Sequence, residues 1–287
     1  AAGTGAAFDF PLQTVAGTYT VTATNVATCA STMNGSVDVV ISALPTATIT
    51  AAGPTTFCAG GSVVFTADVA AGYTYQWMLG GVDIAGATTS SYTAAAAGAY
   101  TVEITNSDGC AATSAATTVT VDAVPALYNV TGGGTYCAGG TGVLVGVSNS
   151  ELGATYTLVL DGVATATTAA GTGAAFDFPL QTVAGTYTVT ATNVATCAST
   201  MNGSIDVVIS ALPTATITAA GPTTFCAGGS VSLSADVAPG YIYQWMLDGT
   251  DITGAVSSVI SANADGDYTV EITNSDGCAA TSAATTG

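Results

Sequence analysis

The sequence has no lysine, no arginine and no histidine, and its only charged side chains are 18 Asp and Glu among 287 residues. Without histidine, the side chain that most often serves as general acid or base near neutral pH is missing. A Ser–His–Asp or Cys–His arrangement cannot be assembled, and neither can a histidine-based zinc site. No side-chain cation can clamp a phosphate, and a net charge of −18 repels nucleic acid. Anionic membrane surfaces are disfavoured for the same reason. Catalysis by carboxylates alone would need two acids converging in one cleft. The chain is read as non-enzymatic.

Long apolar runs are also lacking. No stretch approaches the roughly 18 residues that cross a bilayer, so no membrane insertion is expected in this segment. No signal peptide is visible, and Ala1 falls in the middle of a repeated pattern, so an export signal would lie upstream. The missing cations further exclude side-chain ion pairs. Every carboxylate must be satisfied by water, backbone N–H groups, hydroxyls or a bound metal.

What is present points to strands. Apolar residues make up 49% of the chain, with Ala the most abundant and Val, Thr and Tyr arranged in short alternating runs. The 35 glycines punctuate those runs. This is the composition of an all-β protein.

Self-comparison sets the organisation. Residues 1–119 match residues 169–287 at an offset of 168, with 18 differences. A weaker period lies inside the long one. Pro45, Pro125 and Pro213 each follow a strand-like run, and a Cys follows each Pro by 12 or 13 residues, at Cys58, Cys137 and Cys226. A Tyr in a Gly-x-Tyr-Thr-Val setting recurs at Tyr19, Tyr100, Tyr187 and Tyr268, and a second Cys follows each by ten residues, at Cys29, Cys110, Cys197 and Cys278. Two module types therefore alternate. The expected division is the second half of a type A module (residues 1–44), a type B module (45–124), a type A module (125–212) and a type B module with its last strand cut short (213–287).

The spacing predicts one disulfide inside each module, Cys58–Cys110, Cys137–Cys197 and Cys226–Cys278, with Cys29 unpaired within this sequence. The alternatives are reduced thiols packed as small hydrophobes, or a cysteine-only metal cluster, for which no Cys-x-x-Cys pair exists. Disulfides imply an oxidising compartment, hence an extracellular location.

In type B, Ser62–Ala67 alternates as a strand and Tyr73–Leu79 forms the next, with Trp77 on its face. Gly80-Gly81, or Asp248-Gly249 in the second copy, predicts a two-residue hairpin turn. Ser90–Ala94, Gly98–Thr105 and Thr117–Val121 complete a set of short strands with turns every 8–12 residues. The expected fold is a row of immunoglobulin-like β-sandwich modules in an elongated rod. Trp77 and Trp245 are expected as central core anchors, with Tyr19, Tyr100, Tyr187 and Tyr268 in the corner position. The competing role for these aromatics is a carbohydrate-stacking platform.

The segments YQWMLDGTDITGA and ADGDYTVEITNSDGC resemble the bacterial Ig-like and PKD-like tandem repeats of giant cell-surface adhesins. The type A segments GTYCAGGTGVLVGVSNSE, YTLVLDGV and GTYTVTATN are similar to repeats of gliding-motility-type adhesins of Bacteroidota. The resemblance covers essentially the whole chain and implies export by a type IX-like route and display on the cell surface. One departure stands out. The second Cys lies ten residues after the corner Tyr rather than two, so a staple is expected at the sheet ends and not across the core beside Trp77.

Two further features bear on function. Sixteen of the 18 differences between copies fall between Val64 and Ala99, which reads either as drift or as a partner-contacting face. The second copy also gains Asp248, Asp265 and Asp267, which join Asp251, the counterpart of Asp83. These are the candidate Ca²⁺ ligands, set against the alternative of solvated turns, since no EF-hand pattern occurs; no other cofactor is expected. Three functions compete. The first is the structural repeat region of a secreted adhesin or extracellular filament, a disulfide-stapled stalk whose partners are other copies of itself or surface glycans and proteins. The others are an array of carbohydrate- or protein-binding modules, and an accessory segment of a large secreted hydrolase.

Overall fold

The computed structural model describes residues 5–287. Every regular element among them is a strand. The chain divides into two compact units, with the boundary between Asp122 and Ala123.

In the first unit, residues 45–122 build a two-layer sandwich. One layer is a three-stranded antiparallel sheet in the order Ser91–Ala94, Val63–Ala67, Ile49–Ala51. The other runs Thr56–Cys58, Thr117–Asp122, Gly98–Thr105, Thr74–Leu79, Val82–Asp83, with Ala111–Thr113 on the remaining part of Gly98–Thr105. The Thr56–Cys58 pairing with Thr117–Asp122 is parallel; the other pairings are antiparallel. Strict alternation explains the layering. Val63, Phe65 and Ala67 face inward while Val64 and Thr66 face out, and Tyr100, Val102 and Ile104 do the same on the long strand. Trp77 lies opposite Val102 in register and is fully buried. Its indole N–H donates to the Thr89 carbonyl at 2.9 Å, so this large apolar side chain leaves no polar atom unsatisfied in the core.

The second unit holds two such sandwiches. In residues 125–212 the small sheet is Val130–Gly132, Val145–Val147, Phe176–Asp177. The large one is Gly134–Cys137, Ile205–Ser210, Gly185–Thr192, Thr155–Leu160, Val163–Ala170. There is no tryptophan here. Tyr156, Leu158, Phe178, Tyr187 and Val189 fill the centre, and the Tyr156 hydroxyl accepts from the Glu151 N–H at 2.9 Å. In residues 213–287 the small sheet is Ile217–Ala219, Val231–Ala235, Val259–Ala262. The large sheet is built on Ile242–Leu247 and Asp267–Thr273, with Trp245 fully buried and bonded to the Ser257 carbonyl at 2.9 Å.

Residues 5–44 show what half of this pattern does alone. Gly17–Tyr19 pairs with Val37–Val39, and Thr22–Thr24 with Ala30–Thr32, and among the described residues these strands join no larger sheet. Phe10 is 50% exposed, whereas its counterpart Phe178 is 1% exposed. Local sequence is enough to pair the strands; the core needs the opposing layer.

The carboxylates are met by hydroxyls and backbone amides. Asp68 accepts from the Thr48 N–H and hydroxyl at 2.8 and 2.7 Å, and Asp236 accepts likewise from Thr216 at 2.7 and 2.6 Å. Asp206 accepts from the Thr186 hydroxyl at 2.7 Å. Among the described residues, no buried side-chain nitrogen or oxygen lacks a partner. The arrangement is a tandem of immunoglobulin-like β-sandwiches.

Candidate functional site: the junction between adjacent sandwiches

Four turns of one design each join a strand to the short antiparallel strand paired with it, as Gly98–Thr105 to Ala111–Thr113 and Gly185–Thr192 to Ala198–Thr200. Each begins with Asn and ends with Cys, at Asn25–Cys29, Asn106–Cys110, Asn193–Cys197 and Asn274–Cys278. In all four, the Asn N–H donates to the Cys carbonyl, and the Asn side-chain oxygen accepts from the backbone N–H groups two and four residues on, at 2.9–3.1 Å. The side chain thus holds the loop as an Asx turn. The fourth residue needs a left-handed backbone. It is Gly109 and Gly277 in type B, but Thr28 (φ 64°) and Thr196 (φ 63°) in type A.

The other end of the Asn side chain explains the turn's position. Its N–H₂ donates to the incoming linker of its own sandwich, Asn106 to the Ala43 carbonyl at 3.0 Å, Asn193 to Ala123 at 2.7 Å and Asn274 to Ala211 at 3.0 Å. In type B an acid adds a second bond. Asp276 accepts from the Ser210 hydroxyl at 2.6 Å, and Asp108 accepts from that of Ser42. The linker prolines Pro45, Pro125 and Pro213 are buried. The turn is therefore a clasp that fixes how the chain enters each sandwich.

This geometry overturns the expected disulfides. Cys58 lies opposite Asp122 in register, at the trailing end of its sandwich, whereas the Cys110 sulfur lies 4.0 Å from the Ser42 carbonyl at the leading end. The long strand between those ends, Gly98–Thr105, has eight residues, on the order of 25 Å of rise. Disulfide-bonded Cα atoms lie within about 7 Å. The same separation holds in the next sandwich, where Cys137 is opposite Ser210 at the trailing end and Cys197 closes the turn at the leading end. Cys58–Cys110, Cys137–Cys197 and Cys226–Cys278 are accordingly not formed. Instead Cys137 bonds to Cys278, 141 residues away, with Cα atoms 5.4 Å apart. The staple crosses the junction, from the trailing end of one sandwich to the clasp turn of the next. Cys29, Cys110 and Cys226 are free thiols, Cys29 and Cys226 exposed, while Cys58 and Cys197 are not free.

Most of the other candidate residues serve the fold. Trp77 and Trp245 have no exposed surface and offer no stacking platform to a sugar. Tyr100, Tyr187 and Tyr268 are buried, and Tyr19 is half-buried. Each phenol donates to the carbonyl four residues upstream, at Val15, Ala96, Val183 and Ala264, 2.9–3.1 Å away. Burial pushes the Tyr100 and Tyr187 phenols above their ordinary range, with the neighbouring Tyr92 and Tyr136 adding to it. Asp248 sits at φ 49° in a two-residue hairpin with Gly249 and accepts from the Asp267 N–H at 2.9 Å. Asp267 accepts from the Thr286 hydroxyl at 2.7 Å. The structure does not bring these acids together with Asp251 and Asp265. Among the described residues, no group of three or more Cys, Asp or Glu is placed to hold a metal ion.

Sequence reasoning treats Asn106–Gly109 as a turn and misses the clasp. The available signal is the Asn four residues before each second Cys, with a Ser-Ala or Asp-Ala pair just before each linker Pro.

Residues 46–121 match the PKD domain family, about a quarter of the chain. No characterised protein matches the chain by sequence. Among solved structures, it is similar to the I67–I69 fragment of the titin I-band (12% identity, 79% of this chain and 93% of that one, TM-score 0.37). It is also similar to a 1.5-MDa bacterial ice-binding adhesin studied for host cell surface retention (15% identity, 83% and 94%, TM-score 0.35). Fibronectin(III)-like modules of Clostridium thermocellum CbhA are similar as well (17% identity, 57% and 94%, TM-score 0.31). PKD and Ig-like modules are typically structural and non-catalytic, and disulfides belong to extracellular proteins. Among the described residues, no helix is long and apolar enough to cross a membrane.

Proposed function

We propose that this chain is a load-bearing stretch of an extracellular stalk, the structural repeat region of a secreted surface adhesin. The single observation that supports this reading is the Cys137–Cys278 staple, because it joins neighbours and not the two ends of one sandwich. Tension reaching the second unit at Ala123 runs along Val130–Gly132 and Gly134–Cys137. It crosses the sulfur bridge to Cys278 and leaves along Ala279–Thr281. The 141-residue separation bridged by the disulfide is bypassed. Extended, that stretch would contribute about 480 Å of contour. An array built this way resists lengthening even when a sandwich opens, which is what a tether must do and a binding module need not. The absence of Lys and Arg also leaves trypsin-like proteases no cleavage site.

The test is single-molecule pulling on the full chain with handles at Ala123 and Gly287. The fully unfolded contour is expected to be about 480 Å shorter in the oxidised protein than in the reduced one. Equal contours in the two states would reject the load-bearing reading.

A second reading rests on the divergence between copies. The outward positions Val64/Ser232, Thr66/Ser234, Ser91/Val259 and Thr93/Ser261 all lie on the three-stranded sheet, while the long strand's Tyr100–Thr105 is identical to 268–273. That face is the candidate contact for a protein or glycan. A glycan array and a pull-down that retain nothing with either copy would remove it.

A further inference from the structure

We infer that Asn202, with Gly203 after it, is a self-modification site of the type A sandwich. Its side chain closes onto the Gly203 nitrogen as a succinimide and reopens in water as a carboxylate. Water is the co-reactant and ammonia the leaving group. The inference is independent of the stalk reading.

The structure selects this residue from nine asparagines. Ring closure needs a carboxamide free to swing and a following N–H free to lose its proton and attack. It also needs a following residue whose side chain does not crowd the approach. The clasp residues Asn25, Asn106, Asn193 and Asn274 fail the first condition, because each side-chain oxygen holds two backbone N–H groups. Asn149 fails too, since its side-chain oxygen accepts from the Ser150 N–H at 2.8 Å. At Asn129 the attacking nitrogen is occupied. The Val130 N–H donates to the Asn202 carbonyl at 2.9 Å, and Val is β-branched as well. At Asn263 the Ala264 N–H donates to the Tyr268 hydroxyl at 3.2 Å.

Asn202 meets all three conditions. Met201 before it is buried, whereas Asn202 and Gly203 are exposed. Among the described residues, neither the Asn202 carboxamide nor the Gly203 N–H has a hydrogen-bond partner. Gly203 has φ 77°, and nothing lies within 4 Å of where its Cβ would be. The same Met-Asn-Gly-Ser stretch recurs at residues 33–36, where Asn34 is exposed and the space around Gly35 is equally open. Asn34 is therefore a second site of the same kind.

The chemistry balances without an oxidant or reductant. The deprotonated Gly203 nitrogen attacks Asn202 Cγ, the new C–N bond forms, the bond from Cγ to Nδ2 breaks, and ammonia leaves. Water then adds to one of the two ring carbonyls and that ring C–N bond breaks. Opening at Cγ gives aspartate. Opening at the main-chain carbonyl gives isoaspartate, in which the chain runs on through Cβ and Cγ. Either product adds one negative charge to a chain already at −18.

Isoaspartate also changes the fold locally. The Asn202 carbonyl, which accepts from the Val130 N–H, becomes the free carboxylate. That bond and the one from the Asn202 N–H to the Tyr128 carbonyl, at 2.8 Å, form the parallel bridge between Asn129 and Asn202. The bridge ties the start of Val130–Gly132 to the approach to Ile205–Ser210. The modification therefore loosens the type A sandwich where the chain enters it.

The experiment incubates the full chain in warm, mildly alkaline buffer, then digests it with pepsin in acid, where ring closure is slow. Peptides holding Asn202 and Asn34 are expected to gain the mass difference between amide and acid. Part of the product should accept a methyl group from protein isoaspartyl methyltransferase. Conversion should exceed that of Asn129, Asn149 and Asn263 by about tenfold, given the missing side chain on the following glycine. The converted fraction, separated by anion exchange, should show faster hydrogen exchange at the Val130 amide. N202Q keeps an exposed amide and the fold, and should hold Val130 protection through the same incubation. An Asn202 that stays an amide in the folded chain while converting in urea overturns the proposal. So does conversion of Asn129 or Asn263 as fast as that of Asn202.

Discussion

The two type B sandwiches, residues 45–122 and 213–287, share one fold and differ in two places that matter. Around Trp77 the first has a ring cluster. Phe65 stacks on the indole at 6.1 Å, Tyr92 at 5.9 Å, and both reach Tyr100 at 5.5 and 5.8 Å. Around Trp245 the second has Leu233 and Ile260 at the corresponding positions. At their leading ends the clasp is the same, with Asn106 on Ala43 and Ser42 on Asp108 in one, Asn274 on Ala211 and Ser210 on Asp276 in the other. The second of these clasps carries the Cys137–Cys278 staple, whereas Cys110 of the first is a free thiol. The difference teaches a division of labour. The core determines whether a sandwich stands, and the covalent bond is added to a junction already shaped by hydrogen bonds.

The largest effect should come from the core. W77A and W245A are each expected to lower stability by about 3–5 kcal/mol. The loss at Trp77 should be the greater by about 0.5–1.5 kcal/mol, since its ring contacts go too. Each variant keeps the other sandwich's sole tryptophan, so fluorescence-monitored denaturation reads whether the damage stays local.

Breaking the staple comes next. C278S is expected to destabilise the second type B sandwich by about 2–4 kcal/mol, read from the denaturation midpoint of Trp245 fluorescence. C110S, at the equivalent but unstapled position, should move the Trp77 midpoint by no more than about 0.5 kcal/mol. Equal shifts would erase the distinction between the stapled clasp and the unstapled one.

Removing the clasp sharpens the comparison further. N106A and N274A each leave two backbone N–H groups and one linker carbonyl without their partner, with an expected cost of about 1–3 kcal/mol. Similar values at both sites would show that the clasp acts independently of the staple, and a double variant N274A/C278S measures any coupling.

The smallest effect concerns pH. The Tyr100 phenol is raised by burial and then by Tyr92, so the folded state favours its neutral form. That contribution is fully present below the ordinary tyrosine range near 10 and is lost as pH rises through the higher folded value. Tyrosinate absorbance followed during base titration should show Tyr100 ionising late, together with unfolding of the first type B sandwich. Early, reversible ionisation without unfolding would contradict its burial.

Much of this architecture can be read from residues alone. Alternation in Ser62–Ala67 and Gly98–Thr105 marks strands and their inward faces, because the side-chain period of a strand is two. A lone Trp at a strand centre and a Tyr after Gly-x mark the core. The clasp is harder to see. An Asn before a turn has a sufficient local explanation in the turn itself, and nothing in its spacing shows that its other side meets the linker sixty-odd residues away.

The cysteine connectivity escapes sequence reasoning for a related reason. Recurrent spacing within a module says that two cysteines belong to one unit, but a sandwich has two ends, and a strand of eight residues separates them by several disulfide lengths.

Residue order by itself determined that the chain is strand-forming, free of side-chain cations, and repeated between residues 1–119 and 169–287. Those properties follow from residue chemistry and local periodicity, which act over a few positions. Which cysteine meets which was decided by tertiary structure alone. The end of the edge strand Gly134–Cys137 in one sandwich and the clasp turn of the next come together to bring residues 137 and 278 within bonding reach.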